Sequence, residues 1–434
     1  MAGAAARADF LPLGELAALR AANWRAQAEH VSRQSAFYHH HLGGRALDPR
    51  LEALADLPFT DKEMLRADQA AHPPFGSYLA AADRHVARVH RTSGTTGTAM
   101  NLALSERDAD LTAVVGGRAQ AAAGLGPGMR VVHCLNYQLW MGGLTDHMTL
   151  EATGATVVPF GVGATEKLVH TIRELGITAI SCTPSYPAVL EQVLAERFPG
   201  LAPRDLGLKL GLFGGEAGLD DPAFRARLEG TWGFAARNAN YGVTDVLCNF
   251  AGQCAATPDL HFMALDVLLP ELIDPATGAR RPWQEGENGE LVLTHLAKDC
   301  QPLVRFRTGD LITLTATGPC ACGRTAPRFR VVGRADDMVV VRGINVFPTM
   351  VAAAVHRTAG LGGEYRIVLR GPGPHDALPV EAERAAAGCG DDAAARLADL
   401  IKREIGVTAT VRLLPHGTLP RTAGKTRRVV REDD

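Results

Sequence analysis

From about residue 125 onward, short apolar runs of the buried-strand type alternate with helical stretches, and that alternation limits the fold more than any other feature. The runs are 129–135, 156–160, 177–182 and 208–213. Between the second and third lies a helix carrying Leu168, Ile172 and Leu175, closed by Gly176 as a cap, and another follows Pro187 with Val189, Leu190, Val193 and Leu194. Strand and helix taken in turn predict a mainly parallel sheet covered by helices. At 434 residues the chain is long for one core, so more than one domain is expected.

The flanking regions read differently. Leu13, Leu16, Trp24, Ala28 and Val31 share one face of a helix over the first 35 residues. His39–His41 suit a solvated helix end better than a metal tract, because adjacent side chains diverge. Turn signals at 273–278 and 285–289 make 260–315 antiparallel in character. After Gly333-Arg334 the pattern resets. Strands at 364–369 and 407–414, and a helix with Leu397, Leu400, Ile401 and Ile405 capped by Gly406, predict a small α+β tail.

Hydrophobic residues at 46%, charged residues at 21% and a formal charge of −2 give no electrostatic reason for nucleic acid or a membrane surface as partner. No apolar run approaches the roughly 18 residues that span a bilayer. The N-terminus has an alanine cluster without a signal-like apolar region, so a cytoplasmic protein is expected. In such a chain the eight cysteines favour metal binding over a disulfide framework.

The residues that point to chemistry begin at Arg91-Thr92-Ser93-Gly94-Thr95-Thr96-Gly97-Thr98. Glycines let the backbone aim its amides at one point and hydroxyls add donors, which suits polyphosphate oxygens. A flexible Ser/Gly/Thr linker is the alternative. Further segments follow in order: Phe213-Gly214-Gly215-Glu216, Tyr241-Gly242-Val243-Thr244-Asp245, Arg305-Phe306-Arg307-Thr308-Gly309-Asp310-Leu311, Gly333-Arg334-Ala335-Asp336-Asp337 running on to Arg342-Gly343-Ile344-Asn345, and Arg421-Thr422-Ala423-Gly424-Lys425. With Leu57-Pro58-Phe59-Thr60-Asp61-Lys62, this order resembles the adenylate-forming superfamily of acyl- and aryl-CoA ligases, and within it the phenylacetate–CoA ligase branch.

The resemblance implies an α/β fold: a large N-terminal adenylate-forming domain with mixed and parallel sheets over 1–335, a β subdomain at about 245–333, and a small mobile α+β domain over 336–434 beyond a hinge at Asp336. It implies that a carboxylate attacks the α-phosphate of ATP, pyrophosphate leaves, and the acyl group passes to the thiol of CoA. A carrier-protein pantetheine, or an amine or hydroxyl of a second small molecule, stands as the alternative acceptor. ATP would be held by Ser93, Gly94, Thr95, Thr96, Gly97 and Thr98, with Gly215, Glu216, Tyr241 and Gly242 around adenine, Asp310 on the ribose hydroxyls and Arg334 nearby. Thr244 would lie near the α-phosphate, Asp245 would serve Mg²⁺, and Lys425 would bridge the carboxylate and α-phosphate oxygens.

Two positions depart from the family. Thr98 replaces the usual loop lysine, and Asp245 stands where glutamate is usual, which shortens the reach to the ion. For the acid pocket the resemblance points to His133, Asn136, Tyr137, Gln138, Trp140, Asp146, Tyr186, Phe213 and Asn240. Aromatic walls with polar groups favour a hydroxy- or amino-substituted aryl acid. Cys320-Ala321-Cys322 with Cys254 and His261 makes three thiolates and an imidazole, the closed set that structural zinc takes; some members of the branch carry a metal at residues so placed. Unrelated reduced cysteines are the alternative. A homodimer is reasonable by analogy alone.

Overall fold

The computed structural model describes residues 8–92, 99–371, 375–386, 388, 390, 392–420 and 428–432. Its strands, in chain order, are β1 (Arg88–Arg91), β2 (Asn101–Leu104), β3 (Arg130–His133), β4 (Thr156–Pro159), β5 (Ala179–Cys182), β6 (Leu210–Gly214), β7 (Ala235–Val243), β8 (Leu247–Cys254), β9 (Thr257–Phe262), β10 (Leu268–Ile273), β11 (Arg280–Arg281), β12 (Asn288–His295), β13 (Phe306–Ala316), β14 (Arg328–Arg334), β15 (Val339–Val341), β16 (Ile344–Val346), β17 (Leu361–Leu369), β18 (Leu378–Arg384), β19 (Ala409–Leu414) and β20 (Val429–Arg431). Twelve of them form one strip in the order β11-β10-β12-β13-β14-β9-β8-β7-β6-β5-β3-β4. From β4 to β7 the pairing is parallel, and from β7 onward it is antiparallel. Strand β7 therefore joins the two halves.

The parallel strands are entered and left by helices Met141–Glu151, Thr165–Glu174, Tyr186–Arg197 and Pro222–Trp232. Strands β5 and β6 are buried along their whole length, as expected where both faces are covered. Observed strands are shorter than the apolar runs; β3 ends at His133, although the Cys134 N–H still donates to the Ser181 carbonyl at 2.8 Å. Leu175 is a cap residue and 47% exposed, so the apolar face of its helix ends at Ile172. Helix Glu106–Ala122 opens with a capping box at Ser105 and Asp108. It packs closely on helix Met141–Glu151, where a Cβ at Gly116 would fall 2.3 Å from the Thr149 methyl.

Leu16, Trp24, Ala28 and Val31 of helix Leu13–Gln34 are buried, whereas Leu13, expected on the same face, is 61% exposed because it lies in the first turn. His39 and His40 are exposed at the end of helix Ala36–His41, as a solvated helix end requires. The C-terminal four-stranded sheet has the order β19-β18-β17-β20, and Leu397 and Ile401 of helix Ala393–Ile405 bury against it. Gly406 closes that helix at φ 86°. Helix Pro348–Arg357 of the tail faces helix Pro222–Trp232, with the His356 ring stacked on Phe224 at 4.5 Å. Beside that stack, Gly218–Ala223 and Thr349–Arg357 line a cavity of about 520 Å³. Among the described residues no helix is long and apolar enough to cross a membrane.

Candidate active site

The site gathers at the carboxyl ends of β6 and β7, where an open parallel sheet leaves a crevice. Gly214 ends β6, and Gly215 turns the chain at φ 81°. Glu216 then accepts from Ser185 Oγ at 2.7 Å. On β7, a Cβ at Gly242 would stand 1.9 Å from the Cys248 carbonyl oxygen, so no side chain fits where β7 and β8 cross. Thr244 and Asp245 form the turn that follows.

Tyr241, Asp310 and Arg334 come from three strands and meet. The Tyr241 hydroxyl donates to Asp310 Oδ2 at 2.7 Å, and Arg334 Nη1 donates to Asp310 Oδ1 at 2.9 Å. Arg334 also forks onto Asp336, with Nε and Nη2 at 2.7 and 2.9 Å from its two oxygens. Burial first, and then the Asp310 charge, push the Tyr241 hydroxyl well above its usual pKa, so it stays a donor. Its ring is set edge-on by Phe250 and Phe329, with centroids at 5.2 and 5.4 Å.

Asp245 has a partner that the sequence reading gave no role. Lys62 Nζ lies 2.9 Å from Asp245 Oδ2, while Asp245 Oδ1 is buried without a hydrogen-bond partner. The backbone explains how Lys62 arrives. Thr60 bridges to Phe306, its N–H donating to the Arg305 carbonyl at 3.0 Å and its carbonyl accepting from Arg307 N–H at 2.8 Å. Arg305 covers the Phe59 ring at 4.1 Å and pairs with Glu271 in the interior. Asp61 then caps helix Lys62–Ala71 through the Met64 N–H at 2.8 Å, which turns Lys62 toward Asp245.

On the acid side, His133 is fully buried, bonded to Ser181 Oγ and to the Gly142 and Gly143 carbonyls, each at 3.1 Å. Burial lowers its pKa to about 4, so it is neutral. Tyr137 Oη meets His147 Nδ1 at 2.9 Å, and His147 Nε2 lies 3.1 Å from Glu151. The Trp140 ring lies against Gly142, and a Cβ on Gly215 would meet its edge at 3.9 Å. Tyr186 Oη bonds Thr165 Oγ1 at 3.2 Å. Asn136 folds back on its own loop, accepting from Gln138 N–H, and Gln138 is exposed. Besides His133, two more residues assigned to the pocket wall lie deeper. Phe213 is 1% exposed within the core against Phe234, and Asp146 is 2% exposed, bonded to the Asn240 side-chain amide.

Residues 93–98, the phosphate-loop assignment, and Lys425 lie outside the described residues. The loop's frame is described. Strands β1 and β2 pair Arg91 with Asn101 across it, Thr92 Oγ1 accepts from Met100 N–H at 2.9 Å, and Arg91 N–H donates to the Leu139 carbonyl at 2.7 Å. The strand that leads into residue 93 is thus tied to the loop at Leu139.

Away from the crevice, Cys254, His261, Cys320 and Cys322 bring four ligand atoms within 4.8 Å of one another. Cys254 Sγ is 3.9 Å from Cys320 Sγ, and His261 Nε2 is 3.4 and 3.8 Å from the sulfurs of Cys254 and Cys322. A tetrahedral zinc site has edges of about 3.8 Å between sulfurs and about 3.5 Å from sulfur to nitrogen. The donor set fits that ion. The knuckle is shaped by Gly323 at φ 86° and by Cys320 N–H donating to the Arg324 carbonyl at 2.9 Å.

The "AMP-binding enzyme" family model matches residues 17–295, and the "AMP-binding enzyme C-terminal domain" model matches 343–432. The chain belongs to the AMP-binding enzymes. It is 36% identical to the phenylacetate-coenzyme A ligase of Thermus thermophilus over 97% of this chain and 98% of that protein. A solved structure of 2-hydroxyisobutyryl-CoA ligase in its postadenylation state with R3-HIB-AMP is 29% identical, with a TM-score of 0.89 over 98% of this chain and 91% of that one. The same ligase in its thioesterification state, with 2-HIB-AMP and CoA, is 30% identical with a TM-score of 0.71 over 98% of this chain and 92% of that one. This AMP-binding enzyme is an AMP-forming acid–thiol ligase with the adenylate-forming fold.

Proposed function

We propose that this ligase activates an aryl carboxylic acid bearing a hydroxy or amino substituent and passes it to CoA. The observation that carries the reading is the convergence of Tyr241, Asp310 and Arg334, and Trp140, Tyr137 and Tyr186 are the aromatic residues taken to wall the acid pocket. Asp310 presents acceptors to the ribose hydroxyls, and Tyr241 stacks against the base. Two anions must meet when a carboxylate attacks the α-phosphate, so the residues act by positioning and by neutralising charge. Lys425 supplies the cation for that step, with Thr244 beside the α-phosphate. Asp245, whose Oδ1 is buried without a hydrogen-bond partner, would hold Mg²⁺ through the hard oxygen donor that ion prefers, and the ion would supply positive charge to the phosphates. Lys62 brings a positive charge to this side of the site, where Thr98 provides none.

Asp336 serves as the hinge about which the tail turns between the two half-reactions, and Arg342-Gly343-Ile344 then line the thiol's entry. Cys254, His261, Cys320 and Cys322 hold a structural zinc that pins β8 and β9 to the segment after β13. ATP–pyrophosphate exchange with benzoates, arylacetates and their hydroxy and amino derivatives tests the reading. Exchange with substituted aryl acids that Lys425→Ala abolishes supports it, as does thioester on adding CoA. Exchange only with short aliphatic acids would overturn the aryl assignment, and adenylate that CoA does not consume would overturn the acceptor.

A further inference from the structure

Asp146 was expected to read the substrate directly, yet the fold hides it. It sits in helix Met141–Glu151 at 2% exposure, beneath the end of β7. The Asn240 side-chain amide Nδ2 donates to Asp146 Oδ2, and Asp146 Oδ1 is buried without a hydrogen-bond partner. Asn240 itself is half-buried at the rim of the crevice, with its Cβ and Cγ packed against Gly214, where a Cβ would fall 2.6 and 3.1 Å from them. An asparagine side chain carries a donor end and an acceptor end, and a carboxylate, ionised above about pH 7 at this buried position, only accepts. A carboxylate behind Asn240 therefore selects one of its two orientations. The N–H end is drawn inward, and the carbonyl oxygen Oδ1 accepts no hydrogen bond from the described residues.

We propose that Asp146 is a positioning residue for acid selection: it fixes Asn240 with its amide oxygen toward the acid pocket, so that an acid carrying an O–H or N–H donor is preferred over its unsubstituted analogue. This rests on the aryl-acid reading above and names the group that enforces it. A fixed acceptor discriminates in two ways. It bonds the matching donor, and it is left unsatisfied by an analogue that lacks one. The closeness of Gly214 matters here, since a side chain there would displace Asn240.

The test, run at pH 8 where Asp146 is ionised, compares benzoate with its hydroxy- and amino-substituted forms by ATP–pyrophosphate exchange in wild type, Asp146→Asn, and the reciprocal double variant Asp146→Asn/Asn240→Asp. The single variant presents an amide that can donate or accept, so Asn240 is no longer held one way round. Its preference for the substituted acid should fall roughly tenfold. The loss should appear in KM for that acid, with KM for ATP and turnover of benzoate within about twofold of wild type. The double variant restores a one-way donor–acceptor pair with acceptors toward the pocket, and should recover the preference. A single variant that discriminates as well as wild type overturns the proposal, as does a double variant with no recovery whose melting temperature matches wild type. Wild type that turns over benzoate and the substituted acids equally overturns it while leaving the aryl reading intact. Wild type that exchanges with no aryl acid overturns both.

Discussion

Lys62 and Asp245 face each other from positions 183 residues apart, and Asp245 is far the more buried of the two. Removing the lysine leaves a sheltered carboxylate without its cation, so Lys62→Met should lower stability by about 1–3 kcal/mol. It should also raise KM for ATP about tenfold or more, read by exchange kinetics beside a urea titration. Asp146 gives a second expectation. Burial raises its pKa to about 7, against the donors from Cys248 and Asn240 that pull it down. The folded state then holds this proton more tightly than the unfolded chain, so the group's contribution to stability falls as pH rises from about 4 to 7. Asp146→Asn should therefore gain more in melting temperature relative to wild type at pH 8 than at pH 5. At this scale Asp310, Arg334 and Tyr241 were legible, because each sits in a distinctive local string. Lys62 was not: the string around it was visible, but its partner arrives through the pairing of Thr60 with Phe306. Phe213 was misread as pocket wall because sequence spacing does not say which face of β6 looks into the core.

Strands β8 and β9 pair as an antiparallel hairpin, and the Cys254, His261, Cys320, Cys322 cluster ties that hairpin to the turn after β13. Metal analysis should find one zinc per chain. Cys322→Ser or a strong chelator should lower the melting temperature by several degrees, with kcat of the remaining folded enzyme close to wild type. Full stability without metal would remove the zinc from the account. The tight Cys-x-Cys knuckle announced this element, and the return of Cys254 and His261 depended on the β8–β9 hairpin. The alternation of β3 to β7 with helices was likewise readable, since both-face burial leaves continuous apolar runs. What the runs could not show was their ends, which are set by where the chain must turn toward the crevice.

Across the whole molecule, the tail lies with the His356 ring against Phe224 at 4.5 Å and 19° between planes. Burial lowers the His356 pKa to about 4, so that ring is neutral at working pH. His133 and His295 are also depressed by burial, to about 4 and about 3. Bases that the fold keeps uncharged must take up protons to unfold in acid, so stability should decline as pH drops from about 6.5 toward 4, by up to about 1.4 kcal/mol per unit for each histidine. Phe224→Ala removes the stack on the N-terminal side, and rapid-quench measurements should show slower adenylate formation with thioester formation from preformed adenylate little changed. The order of domains was legible from the break after Arg334; the face on which the tail rests was not, because it depends on two surfaces far apart in sequence. One guanidinium remains to be considered. Arg334 grips Asp310 with one arm and Asp336 with the rest. With Asp310 assigned to the floor of the nucleotide site and Asp336 to the hinge joint, as proposed, a clasp shared between them cannot be loosened at one end without being felt at the other. Emptying or filling that floor should therefore change how freely the joint swings, and Asp310→Asn should disturb the timing of the second half-reaction as well as the grip on ATP.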